Sequence, residues 1–216
     1  MSAIRLGTRA STLATTQSEM VAGLLRSEGL DVNLTTITTH GDTSTASLAA
    51  MGGIGVFASA IRAALLEGEA DIAVHSFKDL PTGRPLGLAI GAVPARADPR
   101  DALVARDGLT LHDLPQEASV GTGSPRRAAQ LLAVRPDLTI VDIRGNVDTR
   151  LGRVKGLGHY AKGGGKEDLD AVVLAASGLA RLGHSGTVTE FLDPSVVLPA
   201  PAQGCLLYTS PSPRDV

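Results

Sequence analysis

The sequence predicts an α/β protein of two lobes joined by a short hinge. Short apolar, β-branched runs alternate with amphipathic helical stretches, and the alternation stops at Pro94 to Arg100 and restarts beyond it. Each half also contains a strand that passes through a Gly-rich turn into a helix. The turns are Gly7-Thr8-Arg9-Ala10-Ser11 and Gly121-Thr122-Gly123-Ser124-Pro125-Arg126-Arg127. Ligands of open α/β sheets sit beyond the carboxyl ends of strands, so chemistry is expected at these turns and in a cleft between the lobes.

The elements follow in order. Ile4 to Leu6 reads as a strand, and Thr12 to Ser27 as a helix with Leu13, Met20, Val21, Leu24 and Leu25 on its buried face and Gly29 at its end. Val32–Thr39 is rich in β-branched residues, as strands are. Gly41 to Gly55 is a long loop of Thr, Ser, Gly and Ala, and loops of that length are usually functional or mobile. A helix over Val56 to Glu67 leads into a strand at Ile72 to Val74, and Leu86–Val93 is a further strand. This order predicts a mainly parallel sheet with helices on its faces. Beyond the hinge, strands are expected at Ala102–Val104, Ala118–Val120, Leu138–Ile143 and Leu169–Leu174, and helices at Arg126–Val134 and Val147–Val154.

Composition limits the function classes. Hydrophobic residues are 43% and charged residues 19% of the chain, the balance of a globular protein with room for one large or two small cores. Aromatics are 2% and the net charge is -2, which argues against a base-stacking platform or a polyanion-attracting field and so against nucleic acid as a partner. The single Cys205 has no partner for an internal disulfide, and no leader or 18-residue apolar run is present. A cytoplasmic monomer without membrane attachment is the expectation.

The basic residues are 16 Arg and 4 Lys. An Arg-rich codon bias accounts for the total, but the guanidinium is also the better fork for carboxylates, and its positions matter. Ser124 is a good N-cap and Pro125 a good first helical residue. Arg126 and Arg127 behind them oppose the helix dipole unless an anion joins the turn; otherwise they are solvated surface arginines. Asp142-Ile143-Arg144-Gly145-Asn146-Val147-Asp148-Thr149-Arg150 is a third strand-end turn, so Arg9, Arg126, Arg127, Arg144 and Arg150 are expected around one cleft.

A strand also delivers His75, Ser76, Lys78 and Asp79 before Pro81. Asp-Leu-Pro recurs at Asp113-Leu114-Pro115 as an ordinary turn, so the tripeptide alone says little; attachment to a strand with Ser76 and Lys78 marks Asp79 as the candidate acid. Other signals carry less. Gly121-Thr122-Gly123 lacks the later glycine of a dinucleotide fingerprint, and Lys162-Gly163-Gly164-Gly165-Lys166 lacks the strand of a P-loop and reads as a floppy insertion. The five histidines have no metal-ligand spacing, His75 reads as a structural hydrogen-bonder, and Cys205 has no neighbouring base.

Four stretches, His75 to Pro81, Gly121 to Arg127, Arg144 to Arg150 and Leu198-Pro199-Ala200-Pro201-Ala202-Gln203-Gly204, together resemble the porphobilinogen deaminase (hydroxymethylbilane synthase) family. The resemblance covers residues 4 to 204. It implies two α/β lobes similar to type II periplasmic binding proteins plus a third domain, which is absent here. The implied layout is residues 1–94 plus about 198–204 as domain 1 and 100–194 as domain 2. The implied activity is a transferase that condenses four porphobilinogen units head to tail, releasing ammonia, for tetrapyrrole synthesis. Asp79 then matches the catalytic acid, which suits a carboxylate able to act as acid or counter-charge. Arg9, Ser11, Arg126, Arg127, Arg144 and Arg150 match the clamps for substrate and the dipyrromethane cofactor, with Gln17, Ser76, Lys78, Thr122 and Ser124 nearby.

Departures from the family pattern are also legible. Ile54 and Ser59 stand where many relatives have Lys, and Lys155 to Asp168 is longer than the compact version. The implied cofactor-attachment Cys has no counterpart in this chain, because Cys205 directly follows Gln203-Gly204. Residues 205–216 look like a non-native tail, with Leu206-Leu207-Tyr208 able to fill a strand position. The expectation is a chain that keeps the substrate residues but is inactive as written. The alternative is a non-catalytic small-anion-binding module of the periplasmic type.

Overall fold

The computed structural model describes residues 2–37, 58–83 and 85–212. The loop from Gly41 to Gly55, with Ile54, lies outside them. The chain divides into two units, Met1–Arg96 with Cys205–Val216, and Ala97–Gly204.

The first unit opens with β1 (Ile4–Thr8) and α1 (Thr12–Ser27). The helix begins where it does because Ser11 keeps an extended backbone and its Oγ accepts from the Ala14 amide at 3.4 Å. It ends at Gly29, whose φ of 82° lets the Leu30 amide reach back to the Leu25 carbonyl at 3.3 Å. β2 (Val32–Thr36), α2 (Ser59–Leu66), β3 (Ile72–Ser76) and β4 (Leu88–Ala92) follow. The tenth strand of the chain, β10 (Leu206–Pro211), completes a sheet of order β2-β1-β3-β10-β4.

The second unit contains β5 (Asp101–Ala105), β6 (Ser119–Gly121), α3 (Pro125–Val134) and β7 (Thr139–Val141). Then come α4 (Val147–Leu151), β8 (Ala171–Ala175), α5 (Ala176–Arg181) and β9 (Glu190–Phe191), giving the order β7-β6-β8-β5-β9. β5 and β8 are buried on both faces, between a cluster around Leu103, Leu131 and Val173 and another around Val104, Leu151 and Val172.

Both sheets share one plan. Three strands run parallel, as in β2-β1-β3 and β7-β6-β8, and a fourth strand runs antiparallel between the third and the edge. Each sheet is therefore mixed, with four of its five strands running in one direction and one against them. In each unit the antiparallel strand is the one that follows a passage of chain from the other, β5 after the hinge and β10 after Gly204. Periodicity reads one strand at a time and does not see a partner supplied from that distance along the chain.

Within the segment from Cys205, read as a non-native tail whose Leu206-Leu207-Tyr208 could fill a strand position, Leu206–Pro211 is an inner strand of the first sheet. Leu206 and Tyr208 point into the cluster of Leu6, Val21, Val32 and Val74, while Leu207 is fully buried on the opposite face. The consecutive apolar residues Leu206, Leu207 and Tyr208 suit a strand covered on both sides. Residues 198–204, expected with the first lobe, group with the second unit. Gln203 holds them there, donating Nε2 to the Pro99 carbonyl at 2.8 Å and to Asp101 Oδ1 at 2.7 Å.

The Lys162-Gly163-Gly164-Gly165-Lys166 stretch, read as a floppy insertion, is hydrogen-bonded to its own unit. The Gly165 amide donates to the Gly158 carbonyl at 2.9 Å and the Glu167 amide to the Gly152 carbonyl at 3.2 Å. A Cβ on Gly165 would meet the Gly152 carbonyl oxygen at 1.8 Å, so the glycine is there for a backbone crossing.

Candidate active site

In the first unit, Arg9 follows β1, and Ser76, Lys78 and Asp79 follow β3. β1 and β3 pair in parallel with Leu6 opposite Ile72 and Gly7 opposite Ala73, so their carboxyl ends place Arg9 near the residues after Val74. A single 3-10 turn, Phe77–Asp79, is closed by the Leu80 amide on the Phe77 carbonyl at 3.2 Å and presents the acid. The Phe77 amide donates to the Cys205 carbonyl at 3.1 Å, so β10 also holds this turn. Desolvation pushes the Asp79 carboxyl above the ordinary carboxylate range, against the opposing pull of Lys78 and Arg9. The residue is exposed at the surface of its unit. Ser11 is committed as the N-cap of α1, and Gln17 is buried on that helix.

His75, one residue before Ser76, is 8% exposed and its Nε2 lies 3.1 Å from Thr209 Oγ1 of β10. Burial, with a smaller contribution from Arg62, lowers its pKa to about 4. Above its unfolded pKa near 6.5 both states are neutral, and below about 4 both are protonated. Between those values the unfolded chain binds the extra proton, so stability falls as the pH drops through that window, by roughly 3 kcal/mol. Thermal melts from pH 7 to 4 on the wild type and His75→Gln are expected to show a steeper decline in the wild type. Parallel curves would show that His75 is not the group responsible.

In the second unit, Thr122, Ser124, Arg126 and Arg127 follow β6, and Arg144 and Arg150 follow β7. The two turns lie close because β6 and β7 pair in parallel, and the Thr122 amide donates to the Val141 carbonyl at 3.0 Å. A Cβ on Gly123 would sit 2.7 Å from the Ile143 carbonyl oxygen, so only glycine allows this approach. Ser124 Oγ caps α3 by accepting from the Arg127 amide at 3.4 Å, and Asn146 Oδ1 caps α4 by accepting from the Thr149 amide at 2.8 Å.

Sequence reasoning asked for an anion to relieve Arg126 and Arg127 at the start of α3, and the protein supplies one. Asp101, with no exposed surface, accepts from Arg127 Nη2 at 2.7 Å through Oδ1 and from Arg126 Nη2 at 2.8 Å through Oδ2. Arg127 also donates to the Val173 carbonyl at 3.1 Å, and Arg126 to the Leu198 carbonyl. Burial pushes the Asp101 carboxyl up, but Arg127, Arg126 and Gln203 outweigh it and hold it below the ordinary range. Asp101 was missed because nothing local marks it; it begins a strand, and its partners lie 25, 26 and 102 residues away.

Arg127, Arg144 and Arg150 form a cation group. Burial first, then the charges of Arg127 and Arg144, lower the pKa of Arg150, with Asp142 opposing. Arg127 Nε and Arg144 Nη2 are buried N–H donors without a hydrogen-bond partner. Buried donors without partners and clustered like charges are both costly, and a polycarboxylate resolves both. The residues present therefore fit a carboxylate-bearing group. Among the described residues no set of three His, Cys, Asp or Glu side chains is placed to hold a metal ion, and no helix is long and apolar enough to cross a membrane.

Residues 4–212 match the family model described as porphobilinogen deaminase, dipyromethane cofactor binding domain. The chain belongs to the porphobilinogen deaminase family. A porphobilinogen deaminase of Cutibacterium acnes is 98% identical over 206 residues, covering 95% of this chain and 62% of that protein. The relatives from Micrococcus luteus and Leifsonia xyli are 60% and 58% identical, with 56% and 59% of their lengths covered. The chain thus spans about three fifths of the family members it matches. Among solved structures, a periplasmic substrate-binding protein of an ABC transporter from Coxiella burnetii is similar with a TM-score of 0.55 at 16% identity, covering 98% of this chain and 86% of that one. The BvgS VFT2 domain of Bordetella pertussis gives 0.52 at 15%, covering 97% and 80%. This likeness is one of fold, α/β with lobes of the type II periplasmic-binding kind.

Proposed function

We propose that this chain carries the substrate and cofactor residues of a transferase that joins porphobilinogen units head to tail with loss of ammonia, giving hydroxymethylbilane for tetrapyrrole synthesis. The observation that carries the reading is the cation group of Arg127, Arg144 and Arg150, in which Arg127 Nε and Arg144 Nη2 are buried donors without a partner. Each porphobilinogen brings an acetate and a propionate, and a chain of them brings many carboxylates. Arg144 and Arg150 take these most directly, with Thr122 and Ser124 beside them. Arg126 and Arg127 offer their remaining N–H groups while Asp101 holds one fork of each.

Arg126, Arg127, Arg144 and Arg150 would hold the carboxylates of the dipyrromethane cofactor, which when bound would supply the free pyrrole position for chain growth. Asp79 serves the incoming unit. As the C–N bond of the aminomethyl group breaks, the electron pair leaves with nitrogen as ammonia and the pyrrole is left cationic. The ionised carboxylate stabilises that charge, and the protonated acid can hand a proton to the departing nitrogen. A raised pKa keeps more of the acid protonated than an ordinary aspartate would be. Arg9 and Lys78 donate to the substrate carboxylates while limiting that rise, and Ser11, Ser76 and Gln17 complete the polar surroundings. A cytoplasmic monomer fits a biosynthetic enzyme of this kind.

Calorimetric titration of porphobilinogen into this chain is the direct test. Binding that weakens at least tenfold in Arg144→Leu is the expected result. Undetectable binding, or binding indifferent to Arg144, overturns the reading. Tight binding of unrelated small anions without preference for porphobilinogen would support an anion-binding module instead.

A further inference from the structure

Arg150 sits on α4, a helix of 5 residues, too short to persist through its own hydrogen bonds. Its guanidinium is partly buried near two others that repel it, so some contact must hold the helix against that repulsion. The Arg150 Nε bond to the Gly145 carbonyl, 2.8 Å, fixes the side chain relative to its own turn but not the turn relative to the unit. Fully buried Leu151 ties the C-terminal end of α4 to the core, and Asp148, two residues before Arg150, ties its first turn through Oδ1, 2.7 Å from His184 Nε2.

His184 is itself firmly placed. α5 ends in a Schellman arrangement: Gly183 takes φ 76°, its amide reaches the Ala180 carbonyl at 3.1 Å, and the His184 amide reaches the Leu179 carbonyl at 2.8 Å. Leu179 is fully buried, which ties this helix end to the core. The Thr187 hydroxyl donates to the His184 carbonyl at 2.8 Å, and the Tyr160 ring stands edge-on to the imidazole with centroids 5.2 Å apart. Both members of the pair are mostly shielded, with side chains 22% and 33% exposed, so the bond is less diluted by water than a surface pair.

We propose that His184 is a positioning residue for Arg150: the His184–Asp148 bond latches α4 to the end of α5 and so sets the guanidinium in the cation group. This deepens the functional reading above and rests on it only for the identity of the ligand. The latch needs an N–H donor at the ε position and nothing else from the imidazole, and Gln places an N–H at the same distance from Cβ. Leu matches the bulk and has no donor.

The test uses the full chain with His184→Leu, His184→Gln, Asp148→Ala and the Leu/Ala double variant. Amide hydrogen exchange is read at Arg150 and Gly152, whose amides close α4 on the Asn146 and Asp148 carbonyls. The porphobilinogen dissociation constant is read by calorimetry. His184→Leu is expected to speed exchange at these amides about tenfold and weaken binding about fivefold, with His184→Gln within about twofold of wild type on both. The double variant should be no worse than the worse single one. The latch is refuted if His184→Leu leaves exchange unchanged, if Gln fails to rescue, or if the two single effects add. Should the wild type not bind porphobilinogen at all, the functional reading fails while exchange and the cycle still decide the latch.

Discussion

Asp101→Asn lowers the free energy of unfolding by about 3 to 5 kcal/mol, the cost of leaving buried charges without their counter-charge. The residue has no exposed surface and serves Arg126, Arg127 and Gln203 at once, so the variant leaves two guanidiniums facing a neutral amide. Asn keeps the volume and one acceptor oxygen, which isolates the charge from packing. Denaturant melts at neutral pH measure the loss, and a change under about 1 kcal/mol would show that water already neutralises the arginines. The pH dependence gives a second check. The folded pKa of Asp101 is lowered, so its stabilisation is complete above the unfolded value near 3.9 and is lost as pH falls through the folded one. The gap between wild type and Asp101→Asn should therefore narrow only in strong acid.

The second large effect concerns Asp79. The Cutibacterium acnes relative is the form in which turnover is best measured, since its matched part is 98% identical to this chain. The substitution equivalent to Asp79→Asn there is expected to slow ammonia release by roughly 10²–10⁴-fold, the usual contribution of a positioned acid or base. Turnover retained within tenfold would remove Asp79 from the chemistry. Stability should move the other way. A carboxyl whose folded pKa is raised disfavours the fold at pH above that value, because the ionised form is the less well solvated one. Asp79→Asn in this chain should therefore be as stable as the wild type or more so at neutral pH, as is common where a site is built for chemistry. A less stable variant would mean that the carboxylate has a structural partner.

Much of the scaffold was legible in the residues. α1 spans Thr12–Ser27 as expected, because Ser11 and Gly29 bound it with local signals. Met20 and Leu24, expected on its buried face, are however exposed, and Gln17, Ser18, Val21 and Ala22 are buried instead. α5 went unseen, since Ala176-Ser177-Gly178-Leu179-Ala180-Arg181 leaves β8 without a turn residue and is buried on nearly every side. β10 was undervalued because its merit as a strand depends on β3 and β4, more than a hundred residues away.

The candidate site divides in the same way. Sequence alone determined which turns carry the polar residues, since strand, Gly-rich turn and N-cap are local patterns governed by backbone sterics and short-range hydrogen bonds. Only the tertiary structure decided how the arginines divide their work. Arg126 and Arg127 are anchored by a carboxylate from another strand, while Arg144 keeps a buried donor without a partner and Arg150 is crowded by like charges. Charge pairing and desolvation act through space, so a residue's partners along the chain do not reveal them.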